Sequence, residues 1–251
     1  MSGHSHWAKV KRAKSANDAK RGREWSKMAR RIMVAAKSGG GNPDENLSLR
    51  YAIDDARGVS MPNDTIEKAI KKGTGELGST TYETLLYEGY GPAGVAFLVE
   101  CLTDNRSRTA PEMRKIFERG GGQLGSTNCV AWMFEKKGVF AIEAGKITED
   151  ALMELALEAG ADDVQNLGDG FEVTCAPMQY AAVKTALEKA KLPLLSSSLA
   201  MIPTSTVQVD IDKARQVLGL MEALEDHDDV QHVYANFDVS QEVMAALDKQ
   251  S

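Results

Sequence analysis

Residues 3–37 read GHSHWAKVKRAKSANDAKRGREWSKMARRIMVAAK, and this stretch is strongly basic in a chain that is acidic as a whole. Within residues 1–37, eleven lysines and arginines stand against Asp18 and Glu24, which gives a net charge of +9. The whole chain carries −6, so the remaining residues together carry −15. A protein with this separation of charge presents its positive end to a polyanion. The charge pattern therefore predicts a nucleic-acid-binding arm on an acidic body.

The arm offers two kinds of contact to a nucleic acid. Lysines and arginines pair with backbone phosphates, whereas tryptophan and histidine rings can stack on bases. Phosphate contacts give affinity without reading sequence, so the pattern leaves the target open. The alternative is a solvated tail that only aids solubility. The candidate binding residues of the arm and of the helix that follows it are His4, His6, Trp7, Lys9, Lys11, Arg12, Lys14, Lys20, Arg21, Arg23, Lys27, Arg30 and Arg31.

From residue 24 onward the pattern becomes helical. Trp25, Met28 and Ile32 recur at the spacing of one helix face, and the run Ser38–Pro43 ends that helix. Two shorter helices are predicted to follow, the second of which ends at Gly73 with lysines in its last turn. These patterns predict a small helical module with a positive net charge.

After residue 78 the pattern changes to short strands joined by turns that contain glycine and proline. Cys129–Phe134 is predicted as a strand, and the following segment has the order β-α-β-β-α-β, which is typical of a ferredoxin-like sandwich. A closing strand–helix–strand unit is predicted to pair with the strands that precede this segment. The fold class is therefore predicted to be α+β and multidomain, with two ferredoxin-like α/β domains, one inserted in the other. The predicted domains are 1–78 (basic and helical), 79–137 with 204–251 (discontinuous α/β) and 138–203 (inserted).

A second candidate anion site lies where a helix over 110–119 is predicted to begin, with Thr109–Glu112 as its cap. Asn105, Arg106 and Arg108 precede that helix. Backbone N–H groups and the dipole at a helix N-terminus favour anions, and arginines there can clamp a phosphate. The same arginines can instead pair with nearby carboxylates. The sequence leaves these two possibilities open.

Other motifs point away from enzymes and cofactors. Gly73–Gly78 matches the dinucleotide fingerprint in its letters, but it follows a helix, and Gly120–Ser126 resembles a P-loop without its lysine. The acidic run Glu225–Asp229 is predicted to be a solvated turn, with a divalent-ion site as the alternative. His4 and His6 lack a third metal ligand, and no catalytic constellation can be assembled from the four histidines. Neither catalysis nor a metal or other cofactor is predicted.

Composition limits the class of protein further. The chain has 251 residues, 43% hydrophobic and 26% charged, which is typical of a soluble protein with two or three domains. No run approaches the about 18 apolar residues of a membrane span. The basic N-terminus lacks the apolar centre of a secretory signal, and a transit peptide is the lesser alternative. Cys101, Cys129 and Cys175 form no disulfide or zinc pattern, which indicates the cytoplasm.

Several longer motifs are spread along the chain: Gly3–Trp7, Asp18–Gly22, Met61–Ile66, Lys71–Glu76, Tyr87–Pro92, Glu100–Arg106, Phe134–Gly138 and Leu224–Gln231. These motifs resemble the YebC family, and the resemblance runs nearly end to end. That family also includes the mitochondrial translational activator of cytochrome oxidase subunit I. The arm departs from the family pattern at His6, where lysine is common, and at Trp25, where phenylalanine is usual.

The resemblance implies three domains and a non-enzymatic regulator of gene expression. The family is widely labelled as DNA-binding transcriptional regulators, which is the first hypothesis. Some members are instead regarded as ribosome-associated factors that help translation through proline-rich stretches, which is the second. The expected partners are accordingly DNA or ribosomal RNA, with the ribosome as a further candidate. Neither a membrane nor a small-molecule substrate is expected.

Overall fold

The computed structural model describes residues 18–78, 81–240 and 243, without the side chains of residues 18–21. The helices are α1 (Asp18–Gly39), α2 (Leu47–Gly58), α3 (Asn63–Gly73), α4 (Arg106–Arg119), α5 (Glu149–Glu158), α6 (Tyr180–Lys189) and α7 (Ile211–Glu225). The strands are β1 (Glu83–Tyr90), β2 (Ala96–Thr103), β3 (Gln123–Leu124), β4 (Phe134–Glu143), β5 (Ala161–Asn166), β6 (Gly170–Cys175), β7 (Leu194–Pro203), β8 (Val207–Gln208), β9 (Val230–Ala235) and β10 (Phe237–Asp238).

Helices α1, α2 and α3 pack against one another around an apolar core. Ile32, Leu49 and Ile53 are buried in it, and each such side chain contributes about 1.5–3 kcal/mol of transfer free energy on burial. Trp25 packs at the edge and donates from Nε1 to the carbonyl of Val59 at 3.1 Å. The apolar stripe predicted for α1 supplies its share of this core, so the predicted helix is confirmed.

The first sheet combines strands from two distant parts of the chain. Its order is β3-β1-β2-β9, and all three neighbouring pairs are antiparallel. Helices α4 and α7 cover one face, where Phe97, Met113, Phe117 and Leu224 are buried. Strand β9, which follows the second sheet in the chain, therefore pairs with a strand that precedes that sheet.

The second sheet is formed within one continuous segment, from β4 to β7. Its order is β5-β6-β4-β7 with antiparallel neighbours, and α5 and α6 lie on one face over buried Phe140, Val173 and Leu187. This order and the β-α-β-β-α-β sequence are those of a ferredoxin-like sandwich. The first sheet departs from that order because both strands of its hairpin, β1 and β2, are central. The fold is α+β and multidomain, as predicted.

The strand predicted at Cys129–Phe134 is wrong over most of its length. Ala131–Met133 forms a short 3-10 helix, and β4 begins only at Phe134. The reason is the buried carboxylate of Glu88, which accepts hydrogen bonds from the backbone N–H groups of Asn128, Val130 and Ala131 at 2.6, 2.8 and 2.8 Å. Backbone donors held in this way are not available to a neighbouring strand. Strand β4 also crosses the predicted domain boundary at residue 138.

Helix α4 starts earlier than its sequence pattern indicates. Its cap is Asn105, whose Oδ1 accepts from the backbone N–H of Arg108 at 3.2 Å. Thr109, predicted to open the helix, is instead a fully buried residue of its first turns. Because the cap is Asn105, Arg106 and Arg108 lie inside the first turn of the helix rather than before it.

The buried cysteines pack as small apolar residues, as predicted. Cys101 and Cys175 are buried with free thiols, and burial is the main cause that raises the pKa of the Cys101 thiol to about 12. Nowhere in the described chain is there a helix long and apolar enough to cross a membrane.

Candidate nucleic-acid interface

The structure describes the side chains of seven of the sixteen candidate residues. His4, His6, Trp7, Lys9, Lys11, Arg12 and Lys14 lie outside the described residues, as do the side chains of Lys20 and Arg21. The remaining candidates fall into two groups on different helices: Arg23, Lys27, Arg30 and Arg31 on α1, and Asn105, Arg106 and Arg108 at the start of α4.

Three cations at helical spacing on α1 face the turn between α7 and β9. We call this turn, Glu225–Asp229, the acidic turn. Arg23 Nη1 lies 3.4 Å from Asp226 Oδ1, and Lys27 Nζ donates to the backbone carbonyl of Glu225 at 2.5 Å. About one helical turn further on, Arg30 contacts the same segment. The basic face of α1 is therefore an internal docking surface in this structure.

Arg30 makes the most buried of these contacts. Its Nη1 donates to the backbone carbonyl of Asp228 and lies 3.1 Å from Asp229 Oδ1. Its guanidinium group also lies 5.9 Å from the centroid of the Tyr82 ring, at cation–π distance. Arg31, on a neighbouring face, pairs instead with Asp55 of α2 at 2.8 Å. Both arginines therefore have carboxylate partners within the protein.

Asp229 is the point at which α1, α4 and β9 meet. Its side chain is only 3% exposed, and its Oδ2 accepts from Arg108 Nη2 at 2.9 Å and from Thr109 Oγ1 at 2.8 Å. Burial is the largest influence and acts to raise the pKa of Asp229, but the hydrogen bonds from Arg108 and Thr109 outweigh it and lower that pKa below its ordinary value. The carboxylate is therefore ionised at neutral pH, and it neutralises the arginines around it.

The group at the start of α4 is divided between structural and exposed roles. Asn105 is the cap, and Arg108 pairs with both Asp104, at 3.1 Å, and Asp229. For Arg108 the structure thus shows the carboxylate pairing that the sequence left open. Arg106 is exposed and makes no ion pair with any residue in the described ranges. Of the three, Arg106 alone is an exposed cation without such a partner.

The interpretation of Glu225–Asp229 as a solvated turn is wrong for Asp229. Asp229 is buried, and His227 Nε2 lies 2.8 Å from Glu112 Oε2 of α4. The backbone N–H of Asp229 donates to His227 Nδ1 at 3.1 Å, which fixes the turn from within. No group of side chains in the part of the chain described here is arranged to hold a metal ion.

Sequence reasoning missed a set of cations on the outer surface. These side chains are exposed and pair with no carboxylate in the described part of the chain. The signal was present, because each lies off the apolar stripe of its helix, but it was outweighed by the denser charge of the arm. They are Lys68, Lys71 and Lys72 on α3, and Arg114, Lys115 and Arg119 on α4.

An exposed aromatic pair was also missed. Trp132 is 70% exposed and Tyr90 is 40% exposed, and both donate to the carbonyl of Cys129, from Nε1 at 3.1 Å and from the hydroxyl at 3.3 Å. The segment that carries Trp132 is held by the buried carboxylate of Glu88. The two rings are thus fixed in place with their polar atoms already bonded, which leaves ring surface for an incoming group.

The fold and this surface define a multidomain α+β protein with a helical, basic N-terminal end. Two family models match the chain over most of its length. The model of the TACO1/YebC protein N-terminal domain matches residues 5–76, and the model of the TACO1/YebC second and third domain matches residues 82–237. The chain belongs to the TACO1/YebC family, which confirms the resemblance seen in its motifs.

Similar proteins extend over nearly the whole chain. A "probable transcriptional regulatory protein" of Pelotomaculum thermopropionicum is 51% identical over 241 residues, which cover 95% of this chain and 99% of that protein. One of Geobacter sulfurreducens is 50% identical over 247 residues, with 98% and 100% covered. The crystal structure of a conserved hypothetical protein from Aquifex aeolicus has a TM-score of 0.80 at 44% identity, covering 89% of this chain and 93% of that one.

Proposed function

We propose that this protein is a non-enzymatic regulator of gene expression that binds the phosphate backbone of nucleic acid, as a DNA-binding regulator of transcription in the cytoplasm. The observation that carries the proposal is the net charge of +9 in residues 1–37 of a chain whose total is −6. Similar proteins carry the name "probable transcriptional regulatory protein", which supports the regulatory role. No catalytic residue, cofactor, metal or small-molecule substrate forms part of the proposal.

The contacts within the protein narrow the set of cations that this binding would use. In the docked arrangement the basic face of α1 is engaged by the acidic turn. Phosphate contacts then fall to the basic cluster at residues 9–14 and to the exposed cations of α3 and α4. Contacts of this kind give affinity but no sequence preference. We therefore infer binding that is governed mainly by charge and shape.

The test is the salt dependence of binding to duplex DNA. Replacing Lys9, Lys11, Arg12 and Lys14 together by alanine should flatten the slope of log K against log salt by up to about 3.6, since each phosphate contact contributes about 0.9. Fluorescence anisotropy of a labelled duplex, titrated with the full chain at several salt concentrations, gives that slope. An unchanged slope would show that the arm is not the binding surface.

A second candidate function is favoured by the orientation of α1 and by the exposed rings. A helix whose cations point into the protein is not presented to a major groove in the manner of a recognition helix. The Tyr90–Trp132 pair offers surface for unpaired bases, which are the usual targets of sequence recognition in RNA. This candidate is a ribosome-associated translation factor that binds ribosomal RNA and relieves stalling at proline-rich sequences.

Sedimentation of a gentle cell lysate on a sucrose gradient separates the two candidates. Migration with ribosomes that shifts after ribonuclease treatment would support the translation factor. Migration at the top of the gradient, together with retention on DNA at near-physiological salt, would support the transcriptional regulator.

A further inference from the structure

The acidic turn presents to α1 the same chemistry that a phosphate backbone would present. Arg23 meets a carboxylate oxygen, Lys27 meets a carbonyl oxygen, and Arg30 meets one of each. Lysine and arginine side chains make most of their contacts with nucleic acid to phosphate oxygens in this way. The turn and a nucleic acid would therefore use the same donors, and the two cannot occupy them together.

The outermost docking contact is of a kind that can be exchanged. The Arg23 and Asp226 side chains are 42% and 50% exposed, and ion pairs between exposed groups contribute little net free energy. On the other side, α2 meets α6 through an edge-on contact of Tyr51 with Tyr180, whose ring centroids are 5.5 Å apart, and a 3.8 Å pair between Asp54 and Lys184. Domains joined by contacts of this kind can move relative to one another unless the interface between them is large and hydrophobic.

We propose that the acidic turn is an internal competitor of nucleic acid: it occupies the basic face of α1, and a bound strand displaces it. This inference rests on the proposed function and concerns its regulation. The exposed cations of α3 and α4 would make the first contact, since none of them pairs with a carboxylate in the described part of the chain. Displacement of the turn would then add the cations of α1 to the interface and loosen the helical layer from the first sheet.

The test neutralises the exposed carboxylates of the turn in the full chain. The variant Asp226→Asn/Asp228→Asn is compared with Asp150→Asn/Glu154→Gln, which makes the same change of charge on the exposed side of α5. The probe is a short fluorescein-labelled duplex DNA at low salt. We expect the turn variant to bind about two- to fivefold more tightly than the control variant. Equal affinity of the two variants, or weaker binding by the turn variant, would overturn the inference.

A second comparison separates competition from long-range electrostatics. In an Arg23→Ala/Lys27→Ala background the turn has lost two of the three α1 cations that it contacts, so the gain from the turn variant should shrink. A gain of undiminished size there would contradict the proposal. Binding by the wild-type chain without any difference among these variants would overturn this inference alone, whereas no binding by any of them would remove the proposed function as well.

Discussion

The basic face of α1 and the outer face of α4 carry similar charge but meet different surroundings. Arg23, Lys27 and Arg30 of α1 lie against the acidic turn, and Arg30 is only 20% exposed. The three cations near the C-terminal end of α4 point into solvent without a carboxylate partner in the described ranges. Among the side chains that the structure describes, the cations on this face of the more densely charged helix are therefore the ones engaged within the protein. Charge density in a sequence identifies an electrostatic surface without saying whether that surface faces outward.

Among the single substitutions considered, replacement of Asp229 is expected to lower the free energy of unfolding the most. Asp229→Ala would leave Arg30 and Arg108 without their shared carboxylate and would remove one of the hydrogen-bond partners of Thr109, at a cost of about 1–3 kcal/mol in the free energy of unfolding. Urea denaturation followed by circular dichroism measures this. The control is Asp228→Ala, because that side chain is exposed and only its backbone carbonyl contacts α1. A loss no larger than that of the control would contradict the role given to Asp229.

The pH dependence of stability gives a further test of the role of Asp229. The pKa of Asp229 lies below its ordinary value of 3.8, so the folded state binds a proton less readily at this site than the unfolded state. Its contribution to stability is then complete above the ordinary value and is lost as the pH falls through the lower folded-state pKa. The free-energy difference between wild type and Asp229→Asn should be constant above 3.8 and shrink at lower pH. A difference that grows on acidification would contradict this sign.

The exposed rings extend the comparison to a surface that needs no charge. Trp132→Ala should weaken binding to a single-stranded oligonucleotide by about 1–3 kcal/mol if one base stacks there, and should leave duplex binding unchanged. Met178→Ala is a matched control, since Met178 is 93% exposed on another domain. Anisotropy titrations with both probes measure this. Equal effects of the two substitutions would argue against stacking on Trp132.

The smallest effect on stability is expected at the exposed edge of the contact between α1 and the acidic turn. Arg23 and Asp226 form an exposed pair at 3.4 Å, so Arg23→Ala should lower the free energy of unfolding by less than about 1 kcal/mol. Arg57→Ala, at an exposed cation of α2, serves as the control. A loss as large as that of Asp229→Ala would mean that the exposed Arg23–Asp226 pair, rather than buried Asp229, holds α1 in place.

Local patterns predicted most of the elements because their causes are local. The spacing of Trp25, Met28 and Ile32 determines the buried face of α1, and the order of elements after β4 is enough to predict the ferredoxin-like sheet. The strand predicted at Cys129–Phe134 failed because a distant side chain, Glu88, takes its backbone donors. No periodicity within a segment reports such a contact.

The candidate site was less predictable for the same reason. Lys27 and Glu225 are 198 residues apart in the chain, and nothing in either segment identifies the other as its partner. Each charged run therefore seemed solvated or available when considered alone. Trp132 was assigned to a strand, and its 70% exposure follows from the 3-10 helix that replaces that strand. Pairing across the fold, rather than composition, decides which of these groups remain exposed.

The most direct test measures the affinity for duplex DNA of Arg114→Ala/Lys115→Ala/Arg119→Ala as a function of salt. The proposed function predicts a slope flattened by up to about 2.7 relative to wild type, for three lost phosphate contacts, with an unchanged midpoint of urea unfolding. The companion variant Arg23→Ala/Lys27→Ala/Arg30→Ala should lower that midpoint, because it removes the docking contacts. If the α4 variant kept the wild-type affinity and slope, the claim that exposed cations of this surface bind nucleic acid would be contradicted.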